Sequence, residues 1–210
     1  TNMSGSYPPN TDSRLISPAM DLPAVSGDER IELRFWQWCS YNSGDNAQVQ
    51  ISVWTDGAWG VWETIATPAS DYFSSPWSLV GVDLTAYAEA IVRIGFYHTA
   101  RDANIYQSDE SLGWYIDDVS VWNGIPSFNN PEDFENGLGD WHTDQGVWQF
   151  GTVASSGPES AHGGSGFVGT NLTGNYPPNT DSRLISPAMD LPTVSGDERI
   201  ELRFWQWCSY

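Results

Sequence analysis

The segment 1–41 returns almost unchanged at 170–210. Tyr7-Pro-Pro-Asn-Thr-Asp-Ser-Arg-Leu-Ile-Ser-Pro-Ala-Met20 reappears from Tyr176 to Met189, 169 positions further on. Only four of the 41 positions differ, namely Met3/Leu172, Ser4/Thr173, Ser6/Asn175 and Ala24/Thr193. Chance does not produce such identity. The period is far longer than the roughly 20–50 residues of a solenoid turn, so one period is a whole domain. The chain reads as a window on a longer array of tandem domains. The stretch from Asn123 to Asn130 is rich in turn formers and lies between aromatic segments, as a linker does. Residues 1–122 are then the last three-quarters of one module, 123–130 the linker, and 131–210 the first half of the next. One full set of module parts is present in permuted order, with a duplicate of one of them. Two copies compete for one place in the fold, which invites exchange between chains.

The pattern within the period is all-β. Arg30–Phe35 alternates and puts Ile31, Leu33 and Phe35 on one face. Gln48–Trp54 does the same with Val49, Ile51 and Val53, and Ile91–Phe96 with Val92, Ile94 and Phe96. Period two with β-branched and aromatic residues marks half-buried strands, and Gly, Pro, Asn and Asp clusters separate them as turns require. Only Leu84–Ala90 suggests a helical turn. Short antiparallel strands without a helical period predict a β-sandwich.

Four motifs carry a resemblance. Asp133-Phe-Glu-Asn-Gly-Leu-Gly-Asp-Trp141, Leu15-Ile-Ser-Pro-Ala-Met-Asp-Leu22, Val82-Asp-Leu-Thr-Ala-Tyr-Ala88 and Gly113-Trp-Tyr-Ile-Asp-Asp-Val119 resemble segments of the cleaved-adhesin, choice-of-anchor and MAM-like modules of bacterial extracellular proteins. The resemblance implies a jelly-roll β-sandwich of concanavalin-like type, with 133–141 as its first strand. Glu89 stands where those modules usually carry Gly, which puts the local turn in question.

Eight Arg, no Lys and 27 acidic residues give a formal net charge of −19. Such a field repels nucleic acid and anionic membrane surfaces, and no apolar run is long enough to insert in a bilayer. Twelve Trp and 14% aromatic residues are too much large apolar surface for a disordered acidic chain. An arranged catalytic set is hard to find. His98, His142 and His162 have no ligand or triad spacing, there is no GxSxG elbow, and no HExxH helix. The expectation is a protein that is not an enzyme.

Candidate binding residues fall into four groups. Hard cations take carboxylate and carbonyl oxygens. Asp117, Asp118 and Glu135, with Asp133 and Asp102 behind them, are the choice for Ca2+, because the resemblance implies that the first and last strands lie side by side with such a site close by. Trp36 and Trp38 share a face opposite Ile31, Leu33 and Phe35 if no bulge intervenes, and Trp54 and Tyr97 are the outward members of neighbouring strands. Those rings serve a protein interface or a sugar, or pack against the rest of the module. Cys39 and Cys208 are one position a repeat apart, expected as a buried thiol in each module or as a bridge between chains. Asn2 and Asn171 begin glycosylation sequons at the same repeat position.

The function expected is a non-catalytic structural or adhesive repeat module of a large secreted or surface protein. Its partners are neighbouring copies in an array or filament, or a cell-surface protein or glycan. The alternatives are a carbohydrate-binding module using outward Trp and Tyr, and an accessory domain of a secreted hydrolase.

Overall fold

A computed structural model describes residues 5–41, 44–70, 77–101, 111–152, 154–178 and 180–209. The chain is an all-β sandwich. Its strands are β1 (Asp12–Ile16), β2 (Met20–Asp21), β3 (Arg30–Ser40), β4 (Asn46–Thr55), β5 (Ala58–Trp59), β6 (Glu63–Ser70), β7 (Ser78–Asp83), β8 (Ile91–Thr99), β9 (Gly113–Gly124), β10 (His142–Asp144), β11 (Trp148–Gly151), β12 (Phe167–Thr170) and β13 (Arg183–Ile185). One sheet runs β1-β8-β4, with β2 beside β1 on β8 and both β5 and β6 on β4. The facing sheet is β7-β3-β9. All pairings are antiparallel.

The alternation in the sequence builds the core directly. Ile31, Leu33 and Phe35 of β3 meet Val49 and Ile51 of β4 and Val92, Ile94 and Phe96 of β8. Phe35, Phe96 and Trp114 form an edge-to-face triangle, with the Phe35 and Phe96 centroids 5.1 Å apart. Each such side chain contributes about 1.5–3 kcal/mol on burial. A polar side chain bridges the two sheets within this core. Gln37, fully buried on β3, donates to the Pro68 carbonyl of the opposite sheet at 3.0 Å and accepts from Trp114 Nε1 at 2.9 Å. Both amide ends are satisfied, as burial demands.

The segment 84–90 turns once as a 3-10 helix over Thr85–Tyr87. Glu89 sits at φ 63°, the left-handed region that favours glycine. The glycine-type turn is therefore retained, and Glu89 adopts it at a cost in strain.

The expected first strand is not formed. Residues 133–141 are irregular, with positive φ at Phe134, Gly137 and Gly139. The acidic side chains divert the backbone locally: Glu132 accepts from the Phe134 N–H at 3.0 Å, and Asp133 from the Glu135 N–H at 3.1 Å. Such Asx-type bonds compete with strand ladders.

Residues 125–172 fold back on the same sandwich. Asp140 bridges Arg34 of β3 at 2.9 Å and accepts from the Ser127 N–H. Thr143 of β10 is buried and donates to the Leu79 carbonyl of β7. Leu138, Val147 and Leu172 are buried. The two copies of the repeated segment end in different states. The first supplies β1, β2 and the central strand β3. Among its described residues the second pairs Thr170, at the end of β12, with β11 and Arg183–Ile185 with β10, and residues 199–209, identical to 30–40, form no strand and are exposed.

Candidate functional site

The strands of the β7-β3-β9 sheet present a shallow cleft on the face turned away from the core. It has a volume of about 260 Å³ and is lined by Trp36, Trp77, Asp117 and Asp118. Trp36 is directed there because β3 alternates without interruption from Arg30 to Cys39. The irregularity lies on the partner strand. Between Arg34/Ser120 and Trp36/Asp117 the register shifts by one residue of β9, and Asp118 takes φ 49°. A bulge of this kind re-aims side chains and bends the strand. Here it turns Asp117 and Asp118 beside Trp36, where Asp117 accepts from the Asp118 N–H at 2.9 Å. Trp38 lies on the same face, capped edge-on by Tyr115 at 5.4 Å. Trp77, exposed at the cleft wall, was missed in the sequence because it lies outside any alternating run.

The cation expectation fares differently at each residue. Among the described residues no group of three or more His, Cys, Asp or Glu side chains is arranged to hold a metal ion. Glu135 does not join Asp117 and Asp118. Its carboxylate accepts from the N–H and hydroxyl of Ser165 at 2.8 and 2.9 Å and from the Gly166 N–H at 2.7 Å. Those bonds, to Gly166 first, hold its pKa below the usual carboxylate value. Glu135 thus fastens the 133–139 segment to the 163–166 turn, and Asp133 is used within its own turn. Asp102 lies outside the described residues.

Trp54 and Tyr97 belong to the other sheet and make no common platform with Trp36 and Trp38. They are the ends of a stacked row across β1, β8, β4 and the 58–62 segment. Arg14 lies over Tyr97 and Trp62, at 4.4 and 4.8 Å from their centroids. Arg93 lies over Trp59 and Trp62, at 4.5 and 4.8 Å. Trp54 packs edge-on against Trp59 at 5.2 Å. Gly95 makes the row possible, since a Cβ there would come within 2.5 Å of Arg14 Cδ. Arg14 also donates to Gln50 Oε1 at 2.7 Å, and a bond to Asp12 holds the Tyr97 hydroxyl above its usual pKa. These outward aromatics are engaged in holding the sheet. Cation–π contacts contribute about 0.5–2 kcal/mol each according to exposure.

A buried polar cluster ties the first repeat copy to the sandwich. His98 faces Tyr41 through Nδ1 at 2.9 Å and Thr11 through Nε2 at 3.1 Å. Tyr7 donates to Asp45, which also accepts from the Arg101 N–H at 2.8 Å. Burial pushes the Tyr41 phenol up and the His98 imidazole down, Asp45 opposing the latter. Both ring nitrogens of His98 are occupied in fixing Tyr41 and Thr11. His162 stacks on Trp205 at 3.8 Å, and His142 packs over Gly81 of β7.

Cys39 is buried and Cys208 exposed. Asn2 lies outside the described residues. Asn171 is built into a turn, donating to the Asn175 carbonyl at 2.6 Å and accepting from the N–H and hydroxyl of Thr173, the third sequon residue.

No protein-family profile matches the chain. A stretch of 76 residues is 36% identical to part of Bacillopeptidase F from Bacillus subtilis (strain 168), covering 35% of this chain and 5% of that protein. The chain thus spans a small fraction of that relative's length. Among the described residues no helix is long and apolar enough to cross a membrane.

Proposed function

We propose that the chain is a non-catalytic, jelly-roll repeat module of a large extracellular or cell-surface protein, working as a structural or adhesive unit in an array of its own copies. The observation that carries this reading is the near-identical return of a 41-residue segment 169 positions further on. The first copy completes a sandwich around Ile31, Leu33 and Phe35. A segment that forms the centre of one sandwich and recurs a domain's length further on is what a series of such units contains. The acidic, lysine-free surface keeps such units apart except where they are built to meet. Electron microscopy of the native material, with a mass estimate under reducing and denaturing conditions, tests it. Regular filaments or strings of sandwiches are expected, and isolated particles of single-unit size refute it.

The cleft supports a second reading. Two indole faces beside two carboxylates are the chemistry that stacks on a sugar ring and accepts from its hydroxyls. In this reading the module binds carbohydrate through Trp36 and Trp77, with Asp117 and Asp118 as acceptors. Glycan-array binding that disappears in Trp36→Ala favours it, and binding indifferent to that change removes it. The local likeness to a protein named as a peptidase supports a third possibility, an accessory domain beside a hydrolase. A hydrolase domain in the same polypeptide would favour that arrangement.

A further inference from the structure

We propose that the cleft formed by Trp36, Trp77, Asp117 and Asp118 is a seat for a guanidinium group, and that its occupant is an arginine side chain of a protein partner. The inference goes beyond the readings above and stands independently of the array. It rests on a second site of the same make, already filled, on the same sheet. Arg34 lies over the Trp122 ring at 4.3 Å and pairs with Glu32 at 2.6 Å and Asp140 at 2.9 Å. One indole face and two carboxylates thus hold one guanidinium. Two residues along β3, on the same face, Trp36 begins the same arrangement again. Across the β3–β9 ladder Glu32 is opposite Trp122, and Trp36 is opposite Asp117. Indole and carboxylate face each other in both places, with the roles of the two strands interchanged. The bulge at Asp118 brings the second carboxylate to the cleft, as Asp140 supplies it to Arg34.

The two places differ in the cation. The sequence has no Lys, and all eight Arg lie among the described residues. Arg14 and Arg93 are stacked on the rings of the other sheet. The ion pairs of the described residues join Arg34, Arg183 and Arg203 to carboxylates other than Asp117 and Asp118. The cleft is lined by two indoles and two carboxylates, and the Trp77 ring is exposed. Neighbouring carboxylates repel unless a cation lies between them. A hard metal ion takes six to eight oxygens, and the described residues bring no third ligand to this pair. A guanidinium fits the set. It is planar and weakly hydrated, so it lies on an indole face while its N–H fork meets carboxylate oxygens. An ammonium has neither the plane nor the fork. The net charge of −19 draws a basic segment towards the molecule from every side, and the cleft fixes where its arginine settles.

An NMR titration of the whole chain that follows its indole N–H signals tests this. The probes are acetyl-Gly-Arg-Gly-Arg-Gly-amide, the same peptide with Lys for Arg, and a neutral glucose oligosaccharide. Salt at 0.15 M screens charges beyond about 8 Å, which suppresses attraction to the acidic surface at large. We expect the Arg peptide to shift the Trp36 and Trp77 signals and to bind about fivefold more tightly than the Lys peptide. Asp117→Asn with Asp118→Asn removes both charges. Asn still accepts the bond from residue 118 and tolerates the left-handed backbone there. That pair of changes should weaken the Arg peptide about tenfold, and Trp36→Ala about fivefold. The Asn pair decides the matter where Trp36→Ala disturbs the strand. Arg and Lys peptides that bind equally, with no loss in the Asn pair, would show only diffuse attraction and overturn the proposal. Shifts at Trp36 and Trp77 from the oligosaccharide but not from the Arg peptide would also overturn it, and would leave the carbohydrate reading standing.

Discussion

Single residues set how this sandwich responds to strain and to acid. Glu89 holds a left-handed conformation that costs a non-glycine residue roughly 1–2 kcal/mol. Its backbone N–H reaches the Pro23 carbonyl at 3.3 Å, so the turn is fixed from outside and cannot relax. Glu89→Gly should remove the strain and lose part of the gain to the greater freedom of the unfolded chain. A net stabilisation of about 0.5–1 kcal/mol is expected in chemical denaturation, and a destabilisation would show that the turn is not strained. His98 governs the acid side. Burial lowers its pKa, so the unfolded chain binds the proton more readily than the folded one. The stability this contributes is present above the ordinary histidine value of about 6.5 and is lost as pH falls from there through the lower folded value. Glu135, also depressed, loses its contribution at lower pH, below the ordinary carboxylate value. Melting temperature should therefore begin to fall below about pH 6.5, and His98→Gln should flatten that first decline while leaving the later one. An unchanged profile in the variant would exclude His98 as its source.

At the scale of elements, the outer face of the β1-β8-β4 sheet is held by its alternating arginines and aromatic rings. Trp62 lies under both Arg14 and Arg93, whereas Trp54 touches the row only through Trp59. Trp62→Ala should cost about 2 kcal/mol and Trp54→Ala less than about 1 kcal/mol, read as urea midpoints. Equal costs would show that the stacked row carries no energy of its own. The strands themselves were legible, because period-two alternation at Ile31, Leu33 and Phe35 states both the strand and its buried face. The row was not, since it is made by Arg14, Trp62 and Arg93 from three separate segments, and only cross-strand register brings them together. The cleft was half legible. Trp36 followed from alternation on β3, but Asp117 and Asp118 reached it through a bulge on β9 that no pattern in the sequence marks. The first strand failed for a local reason, as Glu132 and Asp133 turn the chain with their own side chains. The duplicated segment separates these levels cleanly. Ser26 donates its N–H to Glu29 at 2.8 Å, and Ser195 to Glu198 at 2.9 Å. Thr11 bonds the Pro8 carbonyl, and Thr180 that of Pro177. Arg34 pairs with Glu32, and Arg203 with Glu201. Contacts within a few residues form in both copies. The strand forms only in the copy that has neighbours to pair with, because ladder bonds and core burial are supplied from elsewhere in the chain.

For the whole molecule, identical sequence in two environments makes a comparison that composition and propensity cannot confound. Leu33 and Leu202 have the same neighbours along the chain and the same intrinsic preferences, and they differ only in what surrounds them in space. Leu33→Ala removes a side chain packed between the sheets and should cost about 2–5 kcal/mol through lost burial and the cavity left behind. Leu202→Ala removes one that faces solvent and should fall within about 0.5 kcal/mol of neutral. Equilibrium unfolding of the two variants in dilute solution, where exchange between chains is suppressed, reads this asymmetry directly. The size of the difference reports which copy holds the slot between β7 and β9. If the chain kept one copy in place for only part of the time, the other would substitute for it, and Leu33→Ala would be buffered by occupancy of the slot by the intact Leu202 copy. A cost for Leu33→Ala well below 2 kcal/mol, restored to the full value when Leu202→Ala is added, would reveal that in-chain substitution. Additive effects dominated by Leu33 would establish β3 as the resident strand.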